Sequence, residues 1–251
     1  MRSQKITFTG AQGDELVGYI DLPEQQPRTL ALFAHCFTCS KNLKPVKNIS
    51  RTLVDNDIGV FRFDFTGLGE SEGDFSDTNF SSNVEDLVAA ASFMEADYAE
   101  PEILIGHSLG GAAVLQAASK IVGSKAVATI GAPCDPVHVK KNFGANLDEI
   151  ENKGEATVTL AGRDFTIKKQ FLDDLEAASM DSTIRNLKRA LMIFHSPVDQ
   201  VVGIDNAAHI YKLAHHPKSF VSLDDADHLL VNEEDSIYVA EVLASWAGRY
   251  F

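Results

Sequence analysis

Short apolar runs alternate with amphipathic stretches along most of the chain. An opening strand pair is predicted over Lys5–Thr9 and Leu16–Leu22, with Gly13-Asp14 as the turn between them. Thr29–Ala34 is apolar without interruption, which is typical of a strand that is covered on both faces. The same patterns predict strands over 58–63, 103–105, 126–130, 190–195 and 219–223, and helices over 44–55, 84–94, 109–122, 204–214 and 234–247.

The order of strands and helices predicts the fold class. Strands that alternate with helices build a sheet of parallel strands whose two faces are both covered by helices. We therefore predict an α/β protein with a mostly parallel sheet and helices on both faces. At the second helix, Ser82-Asn83-Val84-Glu85 fits the capping box that marks many helix starts.

The alternation breaks over Asp135–Arg185. Within this segment Ala156–Leu160 and Arg163–Ile167, joined through Ala161-Gly162, predict a small hairpin between helical stretches. A stretch this long outside the repeating units is either a lid over the sheet or a decoration. The aromatic side chains of the segment either line a substrate pocket or form its own small core, and both alternatives stay open. These side chains are Phe143, Phe165 and Phe171.

The chain is predicted to form one domain that carries this segment as an insertion. The core comprises residues 1–134 and 186–251, and residues 135–185 form a lid or cap insertion. A chain of 251 residues is long for one domain, and the insertion accounts for the excess.

Composition and charge narrow the function classes. The chain is 45% hydrophobic and 23% charged, which excludes a disordered or collagen-like protein. The formal net charge of −14 repels phosphate backbones, so a nucleic-acid partner is not expected. No apolar run approaches the roughly 20 residues of a membrane span, and the start lacks the apolar core of a signal peptide.

The cysteines bear on the compartment. Cys36, Cys39 and Cys134 are an odd number, and we expect them to form no disulfide framework. Because no targeting segment is found either, the sequence predicts a reducing compartment, most simply the cytoplasm. The oligomeric state is left open.

The strongest local signal is the pentapeptide Gly106-His107-Ser108-Leu109-Gly110, which matches the Gly-x-Ser-x-Gly nucleophile elbow. The apolar strand Ile103-Leu104-Ile105 leads directly into it, and a helix follows directly. We expect Gly106 and Gly110 to be required because the strand and the helix nearly touch there. The alternative is a glycine-rich helix start that only packs closely or binds an anion. The strand–turn–helix context favours Ser108 as a nucleophile.

A serine nucleophile needs a base and an acid that orients the base. In this type of site they follow the serine in the order Asp, His, each in a loop after a strand. Asp199 follows the strand at 190–195, and His228 follows the strand at 219–223. The remaining histidines lie upstream of Ser108, before the acid, in the insertion or on a helix. Asp224, Asp225 and Asp227 compete with Asp199, but they are more simply interpreted as capping or solvated residues.

Acyl transfer also needs two N–H donors for the developing oxyanion. The backbone N–H groups of Leu109, directly after the serine, and of Phe37, in the loop after the third strand, are the candidates. This loop also holds Cys36 and Cys39 in a Cys-x-x-Cys pattern, which alternatively indicates a redox pair. We favour the simpler interpretation that two small residues shape the loop. A zinc site would need more ligands than these residues and His35 supply.

Taken together, these motifs resemble the α/β-hydrolase superfamily from end to end. The resemblance rests on His35-Cys36-Phe37, on Asp64-Phe65-Thr66-Gly67-Leu68-Gly69-Glu70-Ser71, on the elbow, and on the acid and histidine that follow. More narrowly, His-Cys-Phe-Thr-Cys-Ser with Phe-Asp-Phe-Thr-Gly-Leu-Gly-Glu-Ser is similar to the hydrolase part of bacterial fusions with an OsmC-type domain, here expected to stand alone. The resemblance implies the α/β-hydrolase fold. One departure is Cys36, where the superfamily usually has glycine.

The predicted function is hydrolysis of carboxylic esters by a serine hydrolase, with Ser108, His228 and Asp199 as a catalytic triad. The expected partner is a small-molecule ester, and no cofactor or metal is required. Thioesterase, peptidase and acyltransferase activities use the same triad and stay open. A catalytically silent domain that serves as a binding module, and a redox protein, are the alternatives from other classes.

Overall fold

The computed structural model describes residues 1–160 and 162–251 and contains one eight-stranded sheet and one two-stranded sheet. Ala161, placed in the hairpin turn by the sequence, lies outside the described residues. The strands are β1 (Arg2–Thr9), β2 (Glu15–Leu22), β3 (Thr29–Ala34), β4 (Ile58–Phe63), β5 (Ile103–His107), β6 (Ala126–Ile130), β7 (Glu155–Leu160), β8 (Arg163–Lys168), β9 (Ala190–His195) and β10 (Lys218–Ser222). The α-helices are α1 (Lys44–Asp55), α2 (Phe80–Asp97), α3 (Leu109–Ala117), α4 (Asn146–Lys153), α5 (Lys169–Ala177), α6 (Met180–Arg185), α7 (Asp205–Leu213) and α8 (Glu233–Ala247).

The large sheet has the strand order β1-β2-β4-β3-β5-β6-β9-β10. The hairpin β1–β2 joins β4 in antiparallel fashion, and every later neighbour pair from β4 to β10 is parallel. The predicted fold class is therefore confirmed. Because β3, β4, β5, β6, β9 and β10 run in one direction, the loops after β3, β5, β9 and β10 all emerge at the same edge of the sheet.

Both faces of the sheet are covered, and the third strand shows how its sequence permits this. Leu30 and Leu32 point into the apolar layer that contains α2 and α3, whereas Ala31 and Phe33 point into the layer that contains α1 and α8. Successive side chains of a strand alternate between the two faces, so a strand buried on both sides is apolar at every position.

The start of α2 and the end of α3 differ from the prediction by several residues. The capping box of α2 is formed by Asn79 and Ser82, three positions earlier than predicted, because the Asn79 side chain accepts the Ser82 N–H at 2.8 Å and Ser82 Oγ accepts the Asn79 N–H at 2.9 Å. Helix α3 ends at Ala117 rather than at residue 122, since the Lys120 N–H bonds to Ala117 O at 2.8 Å in a tighter turn.

The segment between β6 and β9 contains the predicted hairpin. Strands β7 and β8 pair in antiparallel fashion between helical segments, which include a 3₁₀ helix over Pro136–Phe143. Of its aromatic side chains, Phe143 and Phe171 are buried and lie next to Phe37, with ring centroids 6.3 and 5.6 Å away. Phe165 contacts Phe75 in the loop before α2, at 4.8 Å. These rings therefore pack the segment onto the core loops.

No helix in the described part of the chain is long and apolar enough to cross a bilayer.

Candidate active site

Ser108 lies in a sharp turn between β5 and α3. Its backbone has φ 54° and ψ −125°, and its N–H donates to Ile130 O on β6 at 2.8 Å. A non-glycine residue in this conformation is strained, and such strain persists only where neighbouring structure enforces it. The strand–turn–helix context predicted for this residue is therefore present, with the hydroxyl at the carboxyl edge of the sheet.

The two glycines of the pentapeptide allow the strand and the helix to meet. A Cβ atom on Gly106 would collide with the carbonyl group of Gly110. A Cβ atom on Gly110 would lie 2.5 Å from the carbonyl oxygens of both Ala34 and His35 at the end of β3. Since backbone atoms cannot move aside as a flexible side chain can, side chains are excluded at both positions, as the sequence predicted.

Ser108, His228 and Asp199 form one hydrogen-bonded chain. His228 Nε2 lies 3.0 Å from Ser108 Oγ, and His228 Nδ1 lies 2.7 Å from Asp199 Oδ2. Because a carboxylate only accepts hydrogen bonds, Nδ1 carries a proton and Nε2 is free to accept the proton of the Ser108 hydroxyl. The structure thus brings together the three side chains that the sequence singled out.

Asp199 is held as a carboxylate by hydrogen bonds. Its Oδ1 accepts the N–H groups of Val201 at 2.8 Å and Val202 at 2.9 Å, while Oδ2 faces His228. Burial raises the pKa of this carboxyl, but the hydrogen bonds from His228 and from the two backbone N–H groups outweigh burial, so the pKa lies below its ordinary value.

Of the competing acidic residues near His228, Asp227 has other partners and Asp224 is exposed. Asp227 accepts the N–H groups of Leu229 at 2.8 Å and Val231 at 3.1 Å, which caps the loop after the histidine. Asp225 is exposed. The choice of Asp199 over its neighbours in the sequence therefore agrees with the geometry.

Two buried histidines next to the hydrogen-bonded Ser108, His228 and Asp199 make contacts that the sequence did not predict. His107 Nε2 donates to the carbonyl oxygen of His228 at 2.7 Å, and His195 Nε2 donates to that of Val202 at 2.7 Å. Burial is the largest cause that lowers the pKa of His107, and the nearby His228 lowers it further, to about 4. His107 is therefore neutral near pH 7, and it holds the backbone of the loop that carries His228. The only sequence signal was the position of each histidine at the end of an apolar strand.

Backbone donors from two loops line the cavity beside Ser108. Phe37 and Leu109 both contribute to its wall. Within residues 1–160 and 162–251, neither the Phe37 nor the Leu109 N–H donates a hydrogen bond. Unpaired backbone N–H groups are uncommon in folded proteins, and those at a helix start attract negative charge.

The two cysteines of the third-strand loop are joined by a disulfide between Cys36 and Cys39. The expectation that the cysteines form no disulfide is therefore wrong for this pair. The chain turns back on itself here, with Thr38 at φ 59° and the Cys39 N–H bonded to Cys36 O at 3.1 Å. This turn brings the two Cα atoms to 5.3 Å, within the range a disulfide spans. Cys134 stays free.

A buried ion pair anchors the chain just after the disulfide. Lys41, which is fully buried, contacts Asp64 through both its ammonium group at 2.5 Å and its backbone N–H at 2.7 Å. Asp64 also accepts the N–H of Glu70 at 3.0 Å. A Cβ atom on Gly69, which has φ 58°, would collide with this carboxylate. The glycine-rich segment after β4 thus wraps around Asp64 and supports the loop that carries Phe37.

A cavity of about 400 Å³ opens at Ser108 and His228. Its size lies in the range of small-molecule sites. The wall is largely apolar, and residues of the 135–185 segment contribute one side of it. The lining from that segment consists of His138, Val139, Asn142, Thr159 and Leu160.

Comparison with known proteins agrees with this fold. The crystal structure of the esterase domain from a Rhodothermus marinus protein is 53% identical, with coverage of 100% of this chain and 99% of that chain and a TM-score of 0.83. Est1E from Butyrivibrio proteoclasticus, with ferulic acid bound, shares the fold at 18% identity, 98% coverage of both chains and a TM-score of 0.84.

A curated relative and a family model complete the comparison. The uncharacterized protein YfhR of Salmonella typhi is 24% identical over 230 residues, which are 90% of this chain and 75% of that protein. The model of the alpha/beta hydrolase family matches residues 31–242, which include most of the sheet and Ser108, Asp199 and His228. The chain belongs to the alpha/beta hydrolase family.

Proposed function

We propose that this protein is a serine hydrolase that cleaves carboxylic esters through an acyl-enzyme. The observation that carries the proposal is the continuous chain from Ser108 Oγ through His228 to Asp199, with distances of 3.0 and 2.7 Å. A serine hydroxyl is a weak nucleophile, and a histidine held in the correct tautomer removes this limitation.

Each residue has a distinct role in the proposed reaction. Ser108 Oγ attacks the ester carbonyl carbon while His228 Nε2 takes its proton, and Asp199 stabilises the imidazolium that forms. The N–H groups of Phe37 and Leu109 hold the oxygen that becomes negative. His228 then protonates the leaving alcohol. Water, activated by the same imidazole, releases the acid from the acyl-enzyme.

Carboxylic esters are proposed as the substrate class because the esterase domain from Rhodothermus marinus matches the full length of this chain at 53% identity. The wall of the cavity is largely apolar, which suits the uncharged arms of an ester. Thioesters, amides and acyl acceptors other than water undergo the same triad chemistry, so a panel of ester, thioester and amide substrates tests this choice.

We also propose that residues 135–185 act as a lid on a core of residues 1–134 and 186–251. Val139, Asn142 and Leu160 lie in the wall of the cavity that holds Ser108. The Arg163 guanidinium of the same segment donates to Thr38 O in the loop with Phe37. Both contacts join the insertion to the proposed reaction centre.

The decisive experiment compares Ser108→Ala with Ser119→Ala, a control at an exposed serine in the turn after α3. Ser108→Ala should abolish cleavage of a p-nitrophenyl ester and labelling by a fluorophosphonate probe, while Ser119→Ala should retain both. Turnover that survives Ser108→Ala would remove this serine from the mechanism. A wild-type protein that neither cleaves esters nor takes up the probe would instead be a silent binding module.

A further inference from the structure

The disulfide between Cys36 and Cys39 encloses the loop segment on which the proposed reaction depends. Only Phe37 and Thr38 lie between the two cysteines, and the N–H of Phe37 is one of the two proposed oxyanion donors. Both cysteines line the same cavity as Ser108 and His228. A change in the bond between the sulfur atoms therefore acts directly on the reaction centre.

We infer that Cys36 and Cys39 form a reversible thiol–disulfide exchange site, with a dithiol as its reaction partner, and that only the oxidised form holds the Phe37 N–H in place. This inference rests on the proposed function for its effect on turnover. The exchange chemistry itself is independent of the ester chemistry.

The two sulfur atoms differ in access. Cys36 is 4% exposed, whereas Cys39 is half-buried and lies in the cavity wall. An incoming thiolate therefore attacks Cys39 Sγ, the bond between the sulfur atoms breaks, and Cys36 leaves as a thiolate that takes up a proton. The second thiol of the dithiol then releases Cys39. Two electrons and two protons pass to the protein, and the reductant becomes a disulfide.

The turn has a reason to change shape once the bridge is cut. Thr38 has φ 59°, and this left-handed region is unfavourable for a β-branched residue. Apart from the disulfide, the turn is held at Cys36 O by the Cys39 N–H at 3.1 Å and by His35 Nδ1 at 2.8 Å, and at Thr38 O by the Arg163 guanidinium. Arg163 is exposed, so this last contact is a weak restraint. Reduction lets Thr38 relax, and the Cys39 N–H then leaves Cys36 O. The Cys36–Phe37 peptide unit, which carries the Phe37 N–H, is then held by His35 alone and can turn.

The two ends of the loop stay fixed, which confines the change to the turn. At the upstream end, Ala34 is paired with Gly106 within the sheet. Lys41 is tied to Asp64 at the downstream end. Reduction is therefore expected to disturb the oxyanion donor without unfolding the protein.

The test uses the full-length wild-type protein, oxidised or reduced with excess dithiothreitol. After denaturation and alkylation, mass spectrometry should count one modified cysteine in the oxidised protein and three in the reduced one. Hydrogen exchange at residues 36–39 should increase on reduction. With a p-nitrophenyl ester, kcat should fall about tenfold or more and KM should change little, because an oxyanion donor acts mainly in the transition state. Re-oxidation should restore kcat.

Two variants separate this effect from others. Cys134→Ser should keep the full response to dithiothreitol, since Cys134 is outside the bridge. Cys39→Ser should show the low kcat of the reduced protein in either condition, with thermal unfolding measured to confirm that it is folded.

The outcomes distinguish the two proposals. A disulfide that resists reduction in the native protein, or a reduced protein with unchanged loop exchange, overturns the inference. Ester turnover that is equal in both redox states also overturns it and leaves the proposed function intact. Two thiols gained together with faster loop exchange, in a protein that cleaves no ester, support the exchange site and contradict the proposed function.

Discussion

Replacing Asp199 with asparagine tests the proposed proton path because it changes one oxygen into an amide nitrogen. Oδ1 accepts two backbone N–H groups, so the amide oxygen of the new side chain must stay there, and its NH₂ group takes the place of Oδ2. The NH₂ group then faces His228 Nδ1 across 2.7 Å. Two donors cannot face each other, so Nδ1 gives up its proton and accepts. The proton moves to Nε2, 3.0 Å from Ser108 Oγ, where the imidazole can no longer act as a base.

The expected loss follows from this change of tautomer. The same substitution in a Ser-His-Asp triad lowers kcat by about 10⁴-fold with the geometry intact. This factor corresponds to about 5.5 kcal/mol of transition-state stabilisation. The measurement is kcat/KM for a p-nitrophenyl ester, with circular dichroism to confirm that the variant is folded.

A matched control is Asp225→Asn, which removes an exposed carboxylate close to His228 in the sequence. Its kcat/KM should stay within about twofold of the wild-type value, because screened surface charges interact weakly. A folded Asp199→Asn protein that keeps a tenth or more of wild-type kcat/KM would falsify the assignment of Asp199 as the residue that orients the imidazole.

Three further predictions concern the surroundings of the site. Asp64→Asn leaves the buried Lys41 ammonium without its main counter-charge and should lower the free energy of unfolding by about 3–5 kcal/mol. Glu70→Gln, at the exposed partner of Lys41, should lower it far less. Urea denaturation measures both. His107→Phe leaves the backbone carbonyl of His228 without its hydrogen bond and should lower kcat about tenfold. His107→Gln can donate to the same carbonyl and should recover part of the rate. Equal rates in the two variants would contradict the role of His107 in holding the His228 backbone. Because folding lowers the pKa of Asp199, its carboxylate stabilises the protein above pH 3.8, the ordinary pKa of an aspartate. This contribution is lost as the pH falls further. Asp199→Asn should therefore lose less thermal stability on acidification than the wild type.

The sequence was sufficient wherever a local rule determines the structure. The central strands of the sheet are almost entirely apolar because both faces are covered, so β3 and β4 were predicted at their observed boundaries. Gly106 and Gly110 signalled a turn in which strand and helix backbones touch. The order of serine, acid and histidine then selected Asp199 and His228, since each follows a parallel strand.

Features that depend on contacts between distant segments were missed or wrong. The capping box of α2 was predicted from Ser82, three residues after the observed cap at Asn79. Several polar residues stand before the helix, and only tertiary packing selects one of them as the cap. The bridge between Cys36 and Cys39 depends on the left-handed conformation of Thr38, and nothing in the composition of the loop predicts that conformation.

By itself, the sequence determined the α/β class, the order of the strands in the chain and the identity of the three polar side chains, because apolar periodicity and glycine requirements are local properties. Tertiary structure alone decided how those side chains are held. His107 supports the backbone of His228 across 121 positions of sequence, and Lys41 pairs with Asp64 across 23. Contacts of this kind are formed only when the sheet has brought its loops to one edge, since the strength of a hydrogen bond depends on distance in space and not on separation along the chain.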